Sequence, residues 1–234
     1  MISKFTKLNT AGSGNLRAAV LGVNDGLVSN LSLVMGVAGG INDRDIILIA
    51  GVAGLLAGSL SMAAGEYISM RSQRDVYEHQ IEQIRSDIVL NPQDQQRKLE
   101  SIYEEKGLSP EESLSLSTRI MANPDVVLDT FIKEDLGLSV STLGSPWGAS
   151  MSSFIAFVAG AVVPIMPYLF DVNGTAIFMS AALSLFALFA VGGILARTVQ
   201  KNIIWGGLRM VSAGGFAATV TFGIGTVIGV SILS

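Results

Sequence analysis

The sequence predicts an all-α integral membrane protein with five transmembrane helices and a small helical insert between the second and the third. Half of its 234 residues are hydrophobic, and its mean hydropathy is +0.53. Only 15% of the residues are charged, and four long stretches carry no charge: 46–65, 136–170, 172–196 and 210–234. Since a helix crosses a bilayer with about 20 mostly apolar residues, these stretches and residues 16–40 account for five spans.

The composition excludes several classes of protein. A net charge of -4 argues against a nucleic-acid partner. The absence of cysteine excludes disulfides and thiolate sites, so a bound metal needs oxygen, nitrogen or thioether ligands. The only histidine, His79, falls on a solvated helix, and no nucleophile–base constellation is visible. We therefore predict neither an enzyme nor a prosthetic group. Residues 1–15 form a polar basic tail without the apolar core of a signal peptide.

Helix 1 spans residues 16–40 and carries one acid, Asp25, well inside the membrane. Small or polar residues recur around it at steps of three and four and share one helix face: Ala18, Gly22, Asp25, Ser29, Ser32 and Gly36. A carboxylate near the bilayer centre costs roughly 2.5–3.5 kcal/mol on insertion scales. Two interpretations of Asp25 are open: it pairs with a neighbouring helix or lies near the headgroups, or it faces a polar path and binds a cation or a proton.

Helix 2 begins near Asp45 and continues past the bilayer into water. An apolar period persists from Val76 to Ile88, and Asn91-Pro92 then ends the helix. A second intramembrane acid, Glu66, lies on one face together with Gly58, Met62, Ser69 and Gln73, and Met70 follows one turn later. Helix 2 therefore presents a second acidic face inside the membrane.

Met62 and Glu66 together suggest a chemistry. A thioether beside a carboxylate suits a borderline divalent ion such as Fe²⁺, whereas carboxylate and water suit Mn²⁺ or Mg²⁺. If helices 1 and 2 pack together, Asp25 and Glu66 line one path, and two buried acids can also hold protons. The alternatives are that the methionines are flexible core fillers, and that Glu66 pairs with Arg71 or Arg74 near the cytoplasmic surface.

The insert is predicted to be a small helical domain of mixed charge. One helix runs from Pro92 to Gly107, a second starts at the N-cap Ser109 with Pro110 in its first turn, and a third runs from Asn123-Pro124 to Gly137. The predicted boundaries are 1–75 for helices 1 and 2, 76–138 for the cytoplasmic domain and 139–234 for helices 3 to 5.

Three further apolar helices follow the insert. Helix 3 spans about 149–170 with two prolines near its end, a turn covers 171–174, and helix 4 spans about 175–196. Helix 5 spans about 207–233 and contains the GxxxG pair Gly225 and Gly229, which is a common packing pattern.

The basic residues predict the orientation. They flank one side of the predicted bilayer: Lys4, Lys7, Arg17, Arg71, Arg74, Arg197, Lys201 and Arg209. The positive-inside rule therefore places the N-terminus, the insert and the loop between helices 4 and 5 in the cytoplasm.

Several motifs resemble those of the vacuolar iron transporter family of Fe²⁺/Mn²⁺ carriers. They are GVNDGLVSNLSLVMGVAGG in helix 1, SLSMAAGEYISMRSQRD at the end of the apolar part of helix 2, LESIYEEKGLSPEE and KEDLGL in the insert, and AGAVVPIMPYLF in helix 3. The resemblance covers nearly the whole chain in order. The motifs in helices 1 and 2 are specific to the family, whereas the glycine-rich pattern of helix 5 is not.

The resemblance implies a five-helix protomer, a homodimer and a metal path at the dimer interface lined by helices 1 and 2. It implies export of Fe²⁺ or Mn²⁺ from the cytoplasm to a vacuole or the exterior in exchange for protons. The helix 1 acid of the family falls on Asp25 and its helix 2 methionine on Met62. The acid that plant members carry two turns before that methionine falls on Gly54, and this chain has Glu66 one turn after Met62, as in bacterial-type members.

The insert departs further from the plant pattern. The positions of its metal-binding glutamates read Ile84, Asp87, Gln95, Lys98 and Asp135, and the methionine pair reads Phe131 and Ile132. Of these positions, only Asp87 and Asp135 keep a carboxylate that could still bind a weak cytoplasmic metal. We expect the insert to keep its helical shape and to hold fewer metals, or none.

The sequence thus predicts a proton-coupled Fe²⁺/Mn²⁺ transporter in the lipid bilayer, in the plasma (inner) membrane or alternatively a vacuolar one. The predicted path residues are Asp25, Ser29, Ser32, Met62, Glu66 and Met70, of which Asp25, Met62 and Glu66 bind metal. Two alternatives remain: a passive divalent-cation channel, and a non-transporting membrane scaffold with a degraded metal-binding insert.

Overall fold

The computed structural model describes residues 10–137, 144–170 and 174–233. These residues form eight α-helices and no strand: α1 (Thr10–Gly40), α2 (Arg44–Leu90), α3 (Pro92–Glu105), α4 (Pro110–Met121), α5 (Pro124–Glu134), α6 (Pro146–Phe170), α7 (Ala176–Thr198) and α8 (Ile203–Leu233). Five of them, α1, α2, α6, α7 and α8, are long and apolar enough to cross a membrane. The predicted fold class is therefore confirmed.

The chain divides into two compact units. The membrane unit comprises Gly14–Tyr67 and Pro146–Ser234, and the insert unit comprises Ile68–Ser145 with the residues before Gly14. The 47-residue helix α2 belongs to both units and, as predicted, runs without a break to the residue before Asn91. The turn predicted at 171–174 falls largely outside the described residues, as do Lys4 and Lys7.

Helix α1 is central to the membrane unit. Its Leu27, Leu31 and Val34 are at most 1% exposed. Val34 packs in a cluster with Ile47, Ile165, Tyr168 and Ala176, and the two leucines pack in another with Leu188 and Ala218. Through these two apolar clusters α1 packs against residues of α2, α6, α7 and α8.

Small residues bring α1 close to its neighbours. A Cβ atom on Gly22 would lie 2.6 Å from the Ser153 carbonyl oxygen of α6, and a Cβ on Gly40 would lie 2.9 Å from the Gly225 carbonyl oxygen of α8. Backbones approach this closely only where no side chain intervenes, which is how membrane helices gain packing contacts. The GxxxG pair of α8 therefore packs against α1.

Helix α6 contains two prolines, and an arginine of α2 donates hydrogen bonds to the carbonyl groups at its carboxyl end. Arg44 donates from Nε to the Tyr168 carbonyl at 2.7 Å and from a terminal nitrogen to the Leu169 carbonyl at 3.0 Å. The last carbonyls of a helix have no partner within the helix, so this arginine supplies one. Polar contacts thus stabilise the end of a helix that carries Pro164 and Pro167.

The insert unit follows the predicted helix starts and stops. Ser109 and Glu112 form a reciprocal capping box at the start of α4, and Gly107 and Gly137 adopt positive φ angles of +96° and +63°. The Ser109 amide and hydroxyl donate to the Glu112 carboxylate and lower its pKa. An apolar core joins α2 to the three short helices: Ile84, Leu99, Ile120, Val127 and Phe131.

Candidate metal-transport site

A cavity of about 320 Å³ opens between α1, α2 and α6 within the membrane unit. Its lining contains one acid, one thioether, three small polar side chains, two glycines and two large apolar side chains: Asp25, Met62, Ser29, Asn30, Ser61, Gly54, Gly58, Leu33 and Phe157. The structure thus brings Asp25 and Ser29 of α1 together with Met62 of α2.

Two glycines of α2 make room for the cavity. A Cβ atom on Gly58 would overlap the Phe157 ring, and a Cβ on Gly54 would lie 2.9 Å from Asn30 Oδ1. Both contacts are closer than ordinary van der Waals contacts, so a larger residue at either position would crowd the cavity lining. The cavity therefore depends on glycine at both positions.

The Asp25 carboxylate has no cation and no hydrogen-bond donor as partner among the described residues. The hydroxyl of Ser29, one turn later, donates to the Asp25 backbone carbonyl at 2.5 Å and leaves the carboxylate untouched. Asp25 is exposed at the mouth of the cavity. An unpaired carboxylate within an apolar span is costly unless a cation or a proton neutralises it.

Glu66 is not part of the cavity lining. Its Oε1 lies 3.5 Å from a terminal nitrogen of Arg17, with the glutamate side chain 12% exposed and the arginine 70% exposed. The alternative partners proposed from the sequence are wrong, because Arg71 pairs with Asp75 at 2.9 Å and Arg74 with Glu78 at 2.7 Å. Among the described residues, the second predicted intramembrane acid is therefore paired while the first is not.

The other predicted path residues lie elsewhere. Ser32 lines a groove of about 590 Å³ between α1 and α8, which shares Ser29 and Leu33 with the cavity. Met70 belongs to the insert unit, where it is 8% exposed. The shared residues make the groove a continuation of the cavity along α1.

The two candidate ligands in the insert do not form a cluster. The Asp135 carboxylate lies 2.6 Å from Lys98 Nζ, at one of the positions where the resemblance implied a ligand. Asp87 is exposed on α2. Across the part of the chain that the structure describes, no three histidine or acidic side chains stand close enough to hold a metal ion.

Sequence reasoning missed Asn30, Leu33, Ser61 and Phe157 as cavity residues. Asn30 is five residues from Asp25, whereas residues on one helix face are spaced three or four apart, so the spacing places Asn30 away from the face that carries Asp25. Its presence in an apolar span was the available hint, because a buried amide needs a polar partner or a function.

Comparison with known proteins identifies the family. Residues 16–226 match the family described as the VIT family. The chain belongs to the VIT family. A vacuolar iron transporter of Acanthamoeba castellanii is 32% identical over 218 residues, which cover 91% of this chain and 78% of that protein.

Plant members of the VIT family are similar as well. Vacuolar iron transporter 1 of Arabidopsis thaliana is 28% identical over 217 residues, covering 91% of this chain and 86% of that protein. The VIT-like transporter 1b of Glycine max is 30% identical over 219 residues, covering 93% and 78%. These VIT relatives are named as transporters, which confirms that the chain is not an enzyme.

Proposed function

We propose that this protein is a proton-coupled transporter that moves Fe²⁺, Mn²⁺ or both out of the cytoplasm, with the cavity between α1 and α2 as its ion site. The observation that carries the proposal is that the Asp25 carboxylate, which has no partner among the described residues, lines the same cavity as Met62. Carboxylate oxygen with one thioether suits a borderline divalent ion. Names of the relatives, which include vacuolar iron transporters, support the same substrate class.

Asp25 supplies the charge that an entering cation needs, and Met62 supplies a soft ligand from the facing helix. The hydroxyls of Ser29 and Ser61 line the same space and can hold the water that a transported ion retains. Ser32 and Met70 stay predicted path residues outside this cavity.

Proton coupling follows from competition at carboxylates. A carboxylate that holds a proton attracts a divalent ion far less, so loading a proton from one side and a metal from the other couples the two fluxes. Asp25 is the proposed first exchange site. Glu66 is the second, since it can exchange its contact with Arg17 for a metal ion or a proton.

A second copy of the chain is proposed to close the path. The cavity opens beside a stripe of exposed small residues at four- and three-residue steps on α2: Ala53, Ala57, Ser61 and Ala64. Such a stripe lets helices approach closely in a membrane. A homodimer joined there would enclose Asp25 between protomers.

The cytoplasmic position of the insert remains a proposal from charge. Arg17, Arg197, Lys201 and Arg209 flank the same predicted side of the spans as the insert. In this orientation, transport out of the cytoplasm would carry the ion away from the side on which the insert lies, in either a plasma membrane or a vacuolar membrane.

The deciding experiment is uptake of Fe²⁺ and Mn²⁺ into proteoliposomes, with and without an imposed pH gradient. It compares the wild type, Asp25→Ala and the control Asp45→Ala, which removes an exposed acid outside the cavity. Flux that requires both the gradient and Asp25, and survives Asp45→Ala, supports the proposal. Flux that ignores the gradient indicates a channel, and no flux of either ion with the wild type indicates a scaffold or another substrate.

A further inference from the structure

Asn30 is the most deeply buried polar side chain of the cavity lining, with 2% of its surface exposed. Its Nδ2 donates to the Ala161 carbonyl of α6 at 2.6 Å. Its Oδ1 has no hydrogen-bond partner among the described residues. A buried amide oxygen without a partner is unusual, because most buried polar atoms in folded proteins are satisfied.

The hydrogen bond fixes which way the amide faces. An amide nitrogen donates and an amide oxygen accepts, so a flipped side chain would bring two acceptor oxygens together at Ala161. Oδ1 therefore faces α2, where it lies 2.9 Å from the position that a Cβ on Gly54 would occupy. The unsatisfied acceptor is held on the cavity wall by a bond on its opposite side.

We propose that Asn30 Oδ1 is a direct ligand of the transported cation, alongside Asp25 and Met62. The inference rests on the proposed function and adds a residue to it. Amide and carbonyl oxygens are hard ligands that suit Mn²⁺, so this oxygen favours harder divalent ions over softer ones. It adds affinity without adding a second negative charge.

Access to this oxygen requires a movement of Leu33. Oδ1 makes no contact with solvent in the structure, and the end of the Leu33 side chain abuts the same glycine, Gly54. Leu33 is 38% exposed, so its side chain has room to rotate. An ion that enters past Asp25 then reaches an oxygen already oriented by Ala161.

Two variants of Asn30 separate a ligand from a structural amide. Asn30→Leu removes both the oxygen and the nitrogen donor, whereas Asn30→Asp keeps an oxygen on the cavity side and loses the donor to Ala161. If Asn30 is a ligand, Asn30→Leu raises the KM for Mn²⁺ about tenfold or more. Asn30→Asp keeps the wild-type KM or lowers it, and slows maximal flux because a charged site releases the ion more slowly.

A structural role predicts a different pattern, in which both variants lose the bond to Ala161, lose thermal stability alike and share one KM. That result would overturn the inference, as would a wild-type KM for Asn30→Leu. Cd²⁺ flux is the second readout, since losing a hard oxygen raises the KM for Mn²⁺ more than that for this softer ion. If Asn30→Leu does not fold, Asn30→Ala replaces it.

Failure of this inference is distinguishable from failure of the proposed function. Wild-type Mn²⁺ flux that depends on Asp25, with a KM unchanged in Asn30→Leu, removes only the amide ligand. Absence of Mn²⁺ and Fe²⁺ flux in the wild type removes the proposed function and this inference with it.

Discussion

Gly54→Ala tests whether the cavity binds the transported ion, because it adds one methyl group at the wall between Asn30 and Leu33. The new Cβ would stand 2.9 Å from Asn30 Oδ1 and would overlap the end of the Leu33 side chain. Leu33 is partly exposed and can rotate away. Asn30 cannot, since its amide is bonded to Ala161. The methyl group therefore stays in front of the oxygen.

The cost to stability is small, because two effects oppose each other. Alanine in place of glycine favours a helix by about 0.5–1 kcal/mol. Overfilling a packed site costs about 1–3 kcal/mol, and the lower end applies here because Leu33 can move. We expect Gly54→Ala to fold and to be at most about 2 kcal/mol less stable than the wild type.

The cost to transport is larger, since the methyl group occupies the space beside the proposed ligand. Blocking one ligand lowers metal affinity by about tenfold or more, which appears as a higher KM for Mn²⁺. The assay is Mn²⁺ uptake into proteoliposomes over a range of Mn²⁺ concentrations, with detergent melting curves recorded on the same preparations.

Gly65→Ala is the matched control. It lies on the same helix, and a Cβ there would have no atom within 4 Å. It gains the same helix preference without filling the cavity, so its KM should equal that of the wild type. Equal KM values for Gly54→Ala, Gly65→Ala and the wild type would refute the cavity as the ion site.

Three further predictions concern other parts of the chain. Arg17→Ala should change stability by no more than about 1 kcal/mol in melting curves, because the arginine in its pair with Glu66 is 70% exposed. The hydrogen bonds from Ser109 lower the pKa of Glu112 below its ordinary 4.5. The cap therefore stabilises α4 above about pH 4.5, and this stabilisation is lost as the pH falls through the lowered pKa. Glu112→Gln should abolish this pH dependence of amide protection in α4. Gly225→Val should weaken the packing of α8 on α1 by about 1–3 kcal/mol, seen as a lower melting temperature.

Each of these has an opposing result, and the last two have a control variant. A loss above about 2 kcal/mol in Arg17→Ala would show that the pair is strongly desolvated. Glu111→Gln, beside the capping glutamate, should keep the pH dependence, and protection in α4 that is constant from pH 6 to pH 3 in the wild type would contradict the capping effect. Gly223→Val lies on α8 in open space, so a melting temperature as low as that of Gly225→Val would refute specific packing at Gly36.

Most of the fold could be predicted from the sequence because local residues determine it. Pro92, Pro110 and Pro124 start the three short helices, and positive φ angles at Gly107 and Gly137 end two of them. The main differences are at helix starts. α8 begins at Ile203 and not near 207, because Asn202 Oδ1 accepts from the amides of Ile204 and Trp205 and caps the helix.

The site could be predicted only in part, because its contacts join distant residues. Small and polar residues at helical spacing placed Asp25 and Ser29 on one face, and a thioether near an acid pointed to Met62. The partner of Glu66 could not be found in this way, since Arg17 lies 49 residues earlier. Asn30 was missed because the cavity is defined by where α2 and α6 meet α1, and helical periodicity within α1 carries no information about that.

The difference between the two intramembrane acids gives the cavity a defined charge. Asp25 is unpaired among the described residues, whereas Glu66 has Arg17 as a counterion. A divalent ion bound by Asp25, Met62 and Asn30 would therefore meet one negative charge and two neutral ligands, and the occupied site would keep a net positive charge. A second carboxylate inside the cavity would strengthen binding through a coulombic term that is larger in a membrane than in water, and would slow release. Gly54 lines the same cavity as Asp25 and Met62 and leaves that second charge out, which suits the proposed transport cycle because the ion must be released in each turn.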